Sequence, residues 1–136
     1  MSGTVGGAIA IFVKTPGYSA VKTRLAASVG ATVAVEWHVR AARTVAAVAR
    51  AAAGVTGAVV YWAVAESDAM AAGAWDALPS LAQGDGGLGA RMGRVHAALV
   101  RRHGAGILLG ADAPQLAADE LVDALAWCAA AEPHQV

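Results

Sequence analysis

The sequence has few of the residues that define several classes of protein. It contains one cysteine, Cys128, among 136 residues, so an internal disulfide and a thiolate zinc site are both excluded. Lysine plus arginine and aspartate plus glutamate number 10 each, and a net charge of zero provides no basic field for nucleic acid. The length predicts one domain, and we do not expect nucleic acid as its partner.

Long hydrophobic runs are also missing, although 57% of the residues are hydrophobic and the mean hydropathy is +0.52. The longest uncharged stretch, between Arg50 and Glu66, contains Gly54 and Gly57 and is shorter than the roughly 20 apolar residues that span a bilayer. No basic residue precedes the apolar run at 8–13, so no secretion signal is visible. Together with the lone cysteine, these features predict a soluble, cytoplasmic protein without a membrane partner.

Strand patterns alternate with helix patterns along the chain. Hydrophobic runs predict buried strands at 8–13, 58–64 and 107–109, and a short strand around 81–82. Apolar residues at three- and four-residue spacing predict helices at 32–53, 88–103 and 118–130, the first of them ending at Gly54. Another helix is expected from about Val21, and the segment 67–80 stays open. The alternation predicts an α/β protein, a Rossmann-like three-layer αβα sandwich with a mainly parallel sheet.

Parallel strands place the loops that follow them at one edge of the sheet, where ligands bind in such folds. The loop after the first strand holds both lysines of the chain, Lys14 and Lys22, together with Arg24. The helix expected from Val21 adds free N–H groups and a positive dipole end. Three cations beside a helix start predict a phosphate site, whereas the alternative is a solvated turn.

Two better-known phosphate motifs fit the sequence less well. A P-loop requires a second glycine directly before Lys22, but Val21 occupies that position. The spacing of Gly84, Gly86 and Gly89 imitates a dinucleotide fingerprint, yet it follows the weakest strand rather than the first one. We therefore reject a P-loop and a nicotinamide site.

The loop after the third strand is rich in glycine. Close approach of a ligand to the backbone is expected at Gly86, Gly87 and Gly89, and a turn that needs positive φ is the equally weighted alternative. Arg91 lies in the first turns of the helix that follows, so it is expected to contact the ligand. The other arginines of this helix are scattered around it and are expected to be solvated: Arg94, Arg101 and Arg102.

The loop after the fourth strand contains a single carboxylate, Asp112. A hard cation such as Mg²⁺ or Mn²⁺ takes oxygen ligands, so Asp112 is the candidate metal ligand. The alternative is a helix cap or an Asx-turn before Pro114.

The histidines and tryptophans are interpreted as structural. His38 and His96 fall within predicted helices, where a packed or surface histidine is the more common case. The four tryptophans are expected to be core or interface anchors because no basic stripe accompanies them: Trp37, Trp62, Trp75 and Trp127.

Blocks from the three loops together resemble a known family. They read Phe12-Val13-Lys14-x-Pro16, Val21-Lys22-Thr23-Arg24-Leu25, Gln83-Gly84, Leu88-Gly89-x-Arg91-Met92 and Gly110-Ala111-Asp112-Ala113-Pro114-Gln115-Leu116. In order and spacing, these blocks resemble the DUF2064 proteins. Those are glycosyltransferase-like members of the nucleotide-diphospho-sugar transferase superfamily, which has the GT-A fold, and they are similar to the guanylyltransferase that acts on phospholactate.

The resemblance implies a transferase that uses a nucleotide-sugar or a nucleoside triphosphate, with either glycosyl or nucleotidyl transfer. Both reactions need positive charge to stabilise a diphosphate or pyrophosphate leaving group. The residues expected to bind the nucleotide and its phosphates are Lys14, Lys22, Arg24, Gly86, Gly87, Gly89 and Arg91, with Mg²⁺ or Mn²⁺ at Asp112.

The sequence departs from the family pattern in several places. The pattern has an acidic residue where Gly87 stands and a second Pro-Gly where Tyr18-Ser19 stands. The family also continues into another strand and an Asp-Gly-Gly-Tyr segment beyond the position of Val136, so we expect the C-terminal, acceptor-side part to be missing, and no general base is named. These departures leave open a catalytically silent nucleotide-binding or assembly domain, and an exposed edge strand makes a homodimer plausible.

Overall fold

The structure, a computed structural model, describes residues 6–18, 30–111 and 117–130. In chain order its elements are β1 (Ala8–Val13), α1 (Ala31–Thr56), β2 (Val59–Val64), α2 (Ser67–Ala71), β3 (Ser80–Ala82), α3 (Leu88–His103), β4 (Gly106–Gly110) and α4 (Ala118–Ala130). The alternation of strands and helices is confirmed, and the open segment 67–80 contains α2 and leads into β3. The helix expected from Val21 lies outside the described residues.

The four strands of the described segments form one parallel sheet in the order β3-β2-β1-β4. β1 lies between two neighbours and is buried on both sides, which explains its continuous hydrophobic run. The carboxyl ends of three strands are level, because Val13 of β1 is opposite Val64 of β2, and Val64 is opposite Ala82 of β3. The residues that follow these strands therefore emerge at one edge.

Helices pack on both faces of the sheet. Ile9 and Ile11 of β1 belong to a core cluster with Val45 of α1 and Leu125 of α4. The alternate residues of β1 point to the other face and pack against Leu99 of α3. The fold is therefore the Rossmann-like three-layer αβα sandwich that the sequence predicts.

The predicted end of the long helix is wrong by three residues. Gly54 lies inside α1, where an added Cβ would meet no atom within 4 Å, so close packing does not require glycine there. Gly57 ends it instead, with a left-handed φ of 80° and its N–H donated to the Ala53 carbonyl at 2.8 Å. The Thr56 hydroxyl also donates to the Ala52 carbonyl at 3.0 Å, which keeps the last turn helical.

The tryptophans divide between core and surface. Trp62 and Trp75 are 1% and 7% exposed, and their ring centroids lie 4.8 Å apart, so both are core anchors as expected. Trp37 and Trp127 are 54% and 59% exposed, so the core part of the prediction is wrong for them. Within the described segments, no helix has the length and apolar character needed to cross a membrane.

Candidate functional site

Only some of the predicted site residues fall in the described segments. Lys22, Arg24 and Asp112 lie outside them. The described candidates follow β1 and β3, at the edge where the strands end: Lys14, Gly86, Gly87, Gly89 and Arg91. The site described below is therefore the β1 and β3 part of the predicted constellation.

The loop after β1 is fixed through Thr15, which is 5% exposed. Both carboxylate oxygens of Glu66 accept the Thr15 backbone N–H at 3.1 Å. Trp75 donates its Nε1–H to the Thr15 hydroxyl at 2.9 Å, and this contact is buried. A loop residue with buried polar groups needs such partners, and these partners hold the backbone in one conformation.

His38 holds the same loop one residue earlier. Its Nε2 lies 2.7 Å from the Lys14 carbonyl oxygen and must donate, because a carbonyl can only accept. The ring is also packed edge-on to Trp75, with centroids 6.2 Å apart, and the residue is 6% exposed. The packed histidine of the sequence analysis is confirmed, and it also restrains the backbone while the Lys14 side chain stays exposed.

Sequence reasoning missed the roles of Glu66, His38 and Trp75 in this loop. A signal existed for Glu66, since it lies two residues after β2 and the ends of parallel strands share one edge. No comparable signal existed for His38 or Trp75, which lie 24 and 60 residues from their partners in the chain.

Gln83 connects the loop after β3 to the neighbouring strands. Its side chain is 2% exposed, and its Nε2 donates to the Ala63 carbonyl at 2.8 Å and lies 3.5 Å from the Val13 carbonyl. Its Oε1 accepts from Nη1 of Arg91 at 2.7 Å. The side chain thus reaches across β2 to the end of β1, and it joins Arg91 to the strand that precedes Lys14.

Arg94 is exposed, as predicted, but its guanidinium also contacts the loop after β3. Its Nη1 donates to the carbonyls of Gln83 at 2.7 Å and of Asp85 at 3.0 Å. Gly84 has a φ of +82°, and a Cβ added there would collide with the Arg94 guanidinium. The glycine therefore gives room to an arginine of the protein itself, and Arg94 stabilises the loop backbone.

The remaining glycines of this loop behave in two ways. Gly86 has a φ of +102°, which supports the turn interpretation at that position. Gly87, at the N-cap of α3, has a φ of −72°, and Gly89 lies in the helix. A Cβ added at Gly87 or Gly89 would meet no atom within 4 Å, so the backbone there is open to its surroundings.

The described candidates include two cations, and the described residues contain no cluster of metal ligands. The Lys14 side chain is exposed, and the Nε of Arg91 is buried with no hydrogen-bond partner in the structure. No group of three or more His, Cys, Asp or Glu residues in the described segments could hold a metal ion. These residues suit an oxyanion, and by themselves they do not fit a divalent cation.

The parallel sheet with helices on both faces is a fold that this chain shares with a solved protein. A crystal structure from Desulfovibrio desulfuricans G20, provisionally named a nucleotide-diphospho-sugar transferase, superposes with a TM-score of 0.66 at 23% identity. The match covers 92% of this chain and 54% of that protein, so the chain spans about half the length of its structural relative. No curated protein matches the chain.

The family follows from the sequence itself. Residues 44–132 match the family described as "Uncharacterized protein conserved in bacteria (DUF2064)". The match covers more than half of the chain, so the chain belongs to the DUF2064 family, as the loop motifs indicate.

Proposed function

We propose that the chain forms the nucleotide-binding part of a transferase that uses a nucleotide-sugar or a nucleoside triphosphate. The observation that carries this proposal is the contact of Gln83 with Arg91 on one side and with the end of β1 on the other. It joins the loops after β1 and β3 at the edge where parallel α/β sheets bind ligands. The description of the Desulfovibrio protein, which has the same fold, supports the same class.

In this proposal the ligand's phosphates are bound by fixed positive charge. Such charge stabilises a leaving nucleoside diphosphate in glycosyl transfer or a leaving pyrophosphate in nucleotidyl transfer. The Glu66, Trp75 and His38 contacts support this role, because a preorganised loop need not reorganise when charge develops on the ligand. The residues proposed to contact the nucleotide and its phosphates are Lys14, Lys22, Arg24, Gly86, Gly87, Gly89 and Arg91.

We also propose Asp112 as a ligand of Mg²⁺ or Mn²⁺. A carboxylate and the oxygens of a diphosphate are ligands that these cations prefer. Since the described residues contain no metal cluster, the proposal depends on Asp112 together with the ligand's own oxygens.

Binding of nucleoside diphosphates tests the proposal directly. We expect saturable binding of at least one of UDP, GDP, ADP, CDP and dTDP by isothermal titration calorimetry, and tighter binding with Mn²⁺ than without it. Charged hydrogen bonds contribute about 1.5–3 kcal/mol, so Lys22→Ala and Arg91→Ala should each weaken binding about tenfold or more. Asp112→Ala should remove the Mn²⁺ effect.

Arg102→Ala is the matched control, since Arg102 is an exposed arginine at the far end of the helix that carries Arg91. Equal affinity of Lys22→Ala, Asp112→Ala and the unmodified chain would refute the proposed site. Metal-dependent binding without product from a panel of nucleotide-sugars and nucleoside triphosphates would instead support the silent nucleotide-binding domain.

A further inference from the structure

The buried amide of Gln83 has only one orientation that satisfies its neighbours. Its Nε2 faces the carbonyl oxygens of Ala63 and Val13, and its Oε1 faces an N–H of Arg91. A rotation of the amide by 180° would place oxygen against two carbonyls and N–H against a guanidinium. Because both contacts of the rotated amide are repulsive, the side chain is fixed with its acceptor oxygen toward Arg91.

Because Gln83 occupies Nη1 of Arg91, a ligand would be bound through the other edge of the guanidinium. The Nε and Nη2 groups form that edge, and two parallel N–H donors there match two oxygens of a phosphate. The Nε is buried and has no hydrogen-bond partner in the structure. A buried donor of this kind needs an acceptor, and an oxyanion is the acceptor that suits a guanidinium.

We propose that Gln83 is the positioning residue that presents the Nε edge of Arg91 to a phosphate group of the ligand. The inference rests on the proposed function and adds to it the residue that orients Arg91. Through Val13, the same side chain contacts the strand end from which Lys14 projects. Gln83 therefore connects Arg91 to the strand end that precedes Lys14.

A carboxylate in place of the amide tests this role through its protonation. In Gln83→Glu the ionised side chain would repel the two carbonyls and neutralise Arg91. The protonated acid would donate to a carbonyl and accept from Arg91, as glutamine does. The affinity of this variant should therefore recover once its carboxyl is protonated. Each affinity is compared with that of the unmodified chain at the same pH, because both proteins then meet the ligand in the same protonation state.

The probe is magnesium pyrophosphate, titrated calorimetrically at pH 7.5 and at a lower pH at which ¹³C NMR shows the introduced carboxyl of Gln83→Glu to be protonated. At pH 7.5 we expect Gln83→Glu and Arg91→Met to bind about tenfold more weakly than the unmodified chain, and Arg102→Met to bind within about twofold of it. At that lower pH the deficit of Gln83→Glu should shrink to about threefold or less, while that of Arg91→Met should remain. A simple loss of stability would not produce this pH-dependent recovery in the folded protein.

Gln83→Met and a measurement on the unmodified chain cover the case in which Gln83→Glu does not fold. The methionine variant keeps the side-chain volume without an acceptor oxygen, so it should bind weakly at both pH values. In the unmodified chain, NMR should show the Arg91 Nε–H exchanging with solvent more slowly than that of Arg102.

The outcomes separate the two proposals. If the unmodified chain binds pyrophosphate and the folded Gln83 variants bind equally well at both pH values, the positioning role is wrong and the proposed function stands. Unprotected exchange at the Arg91 Nε–H would also overturn the positioning role. If neither pyrophosphate nor any nucleoside diphosphate binds the unmodified chain, the proposed function fails and this inference fails with it.

Discussion

Thr15 is the residue through which distant parts of the chain hold the loop after β1. Its N–H contacts Glu66, 51 residues away, and its hydroxyl contacts Trp75, 60 residues away. Both groups are polar and lie in a nearly buried residue, so the loss of either partner leaves a donor or an acceptor without water to replace it. The conformation of this loop therefore depends on tertiary contacts rather than on its own sequence.

A double-mutant cycle on Trp75 and Thr15 measures this dependence. Trp75→Phe keeps most of the ring and removes the N–H donor, and Thr15→Val removes the hydroxyl. Each change should lower the free energy of unfolding by about 1–2 kcal/mol, with a coupling of about 1 kcal/mol in urea denaturation. Trp37→Phe, at an exposed tryptophan, is the control and should change stability little. Additive effects of the two buried changes would contradict the contact.

At the scale of elements, α1 shows that two nearby glycines have opposite roles. Gly54 lies within the helix in open space, and Gly57 ends it in the left-handed conformation. Glycine in a helix interior is less stable than alanine by about 0.5–1 kcal/mol. An alanine that must adopt the left-handed conformation is destabilised by roughly 1–2 kcal/mol.

Alanine at these two positions should therefore change stability in opposite directions. Gly54→Ala should raise the free energy of unfolding by about 0.5–1 kcal/mol, and Gly57→Ala should lower it by about 1 kcal/mol or more. Thermal and urea denaturation of the two variants provides the measurement, and each variant is the matched control for the other. Destabilisation by Gly54→Ala would mean that the helix ends earlier than the structure shows.

At the scale of the whole molecule, α4 belongs to the same core as the central strand. Leu125 of α4 is fully buried and lies in one cluster with Ile9 and Ile11 of β1. The described sheet has β3, of three residues, and β4, of five residues, at its edges. A very short edge strand such as β3 has little tendency to pair with another chain. The homodimer considered in the sequence analysis stays a prediction.

Truncation of Leu125 should destabilise the entire domain. Leu125→Ala removes a buried side chain and leaves a cavity, so the free energy of unfolding should fall by about 2–5 kcal/mol. Unfolding monitored by tryptophan fluorescence and by circular dichroism should show one coincident transition shifted to lower urea. Leu88→Ala, the same substitution at a 57% exposed leucine, should have little effect. Two separate transitions in Leu125→Ala would show that α4 unfolds independently.

Local patterns in the sequence were sufficient to predict the fold class and most of the described elements, but not α2, which lies in the open segment 67–80. The hydrophobic run predicted β1, because the strand is buried along its whole length. The spacing of apolar residues predicted α3, because this spacing reflects contacts within a few turns of one helix. The glycines on either side of α3 marked its ends. Resemblance of the loop motifs predicted the family, and the match over residues 44–132 confirms it. The same local reasoning failed at Gly54, because a glycine can end a helix or lie within it and the sequence does not distinguish the two cases.

Only the tertiary structure decided what holds the candidate site in place. The contacts of Gln83 with Val13 and of Glu66 with Thr15 join residues 70 and 51 positions apart. They exist because the strand order brings the ends of β1, β2 and β3 to one level. Local propensity carries no information about strand order, which results from packing of the whole sheet. The residue types of the loops were readable from the sequence, and their partners were not.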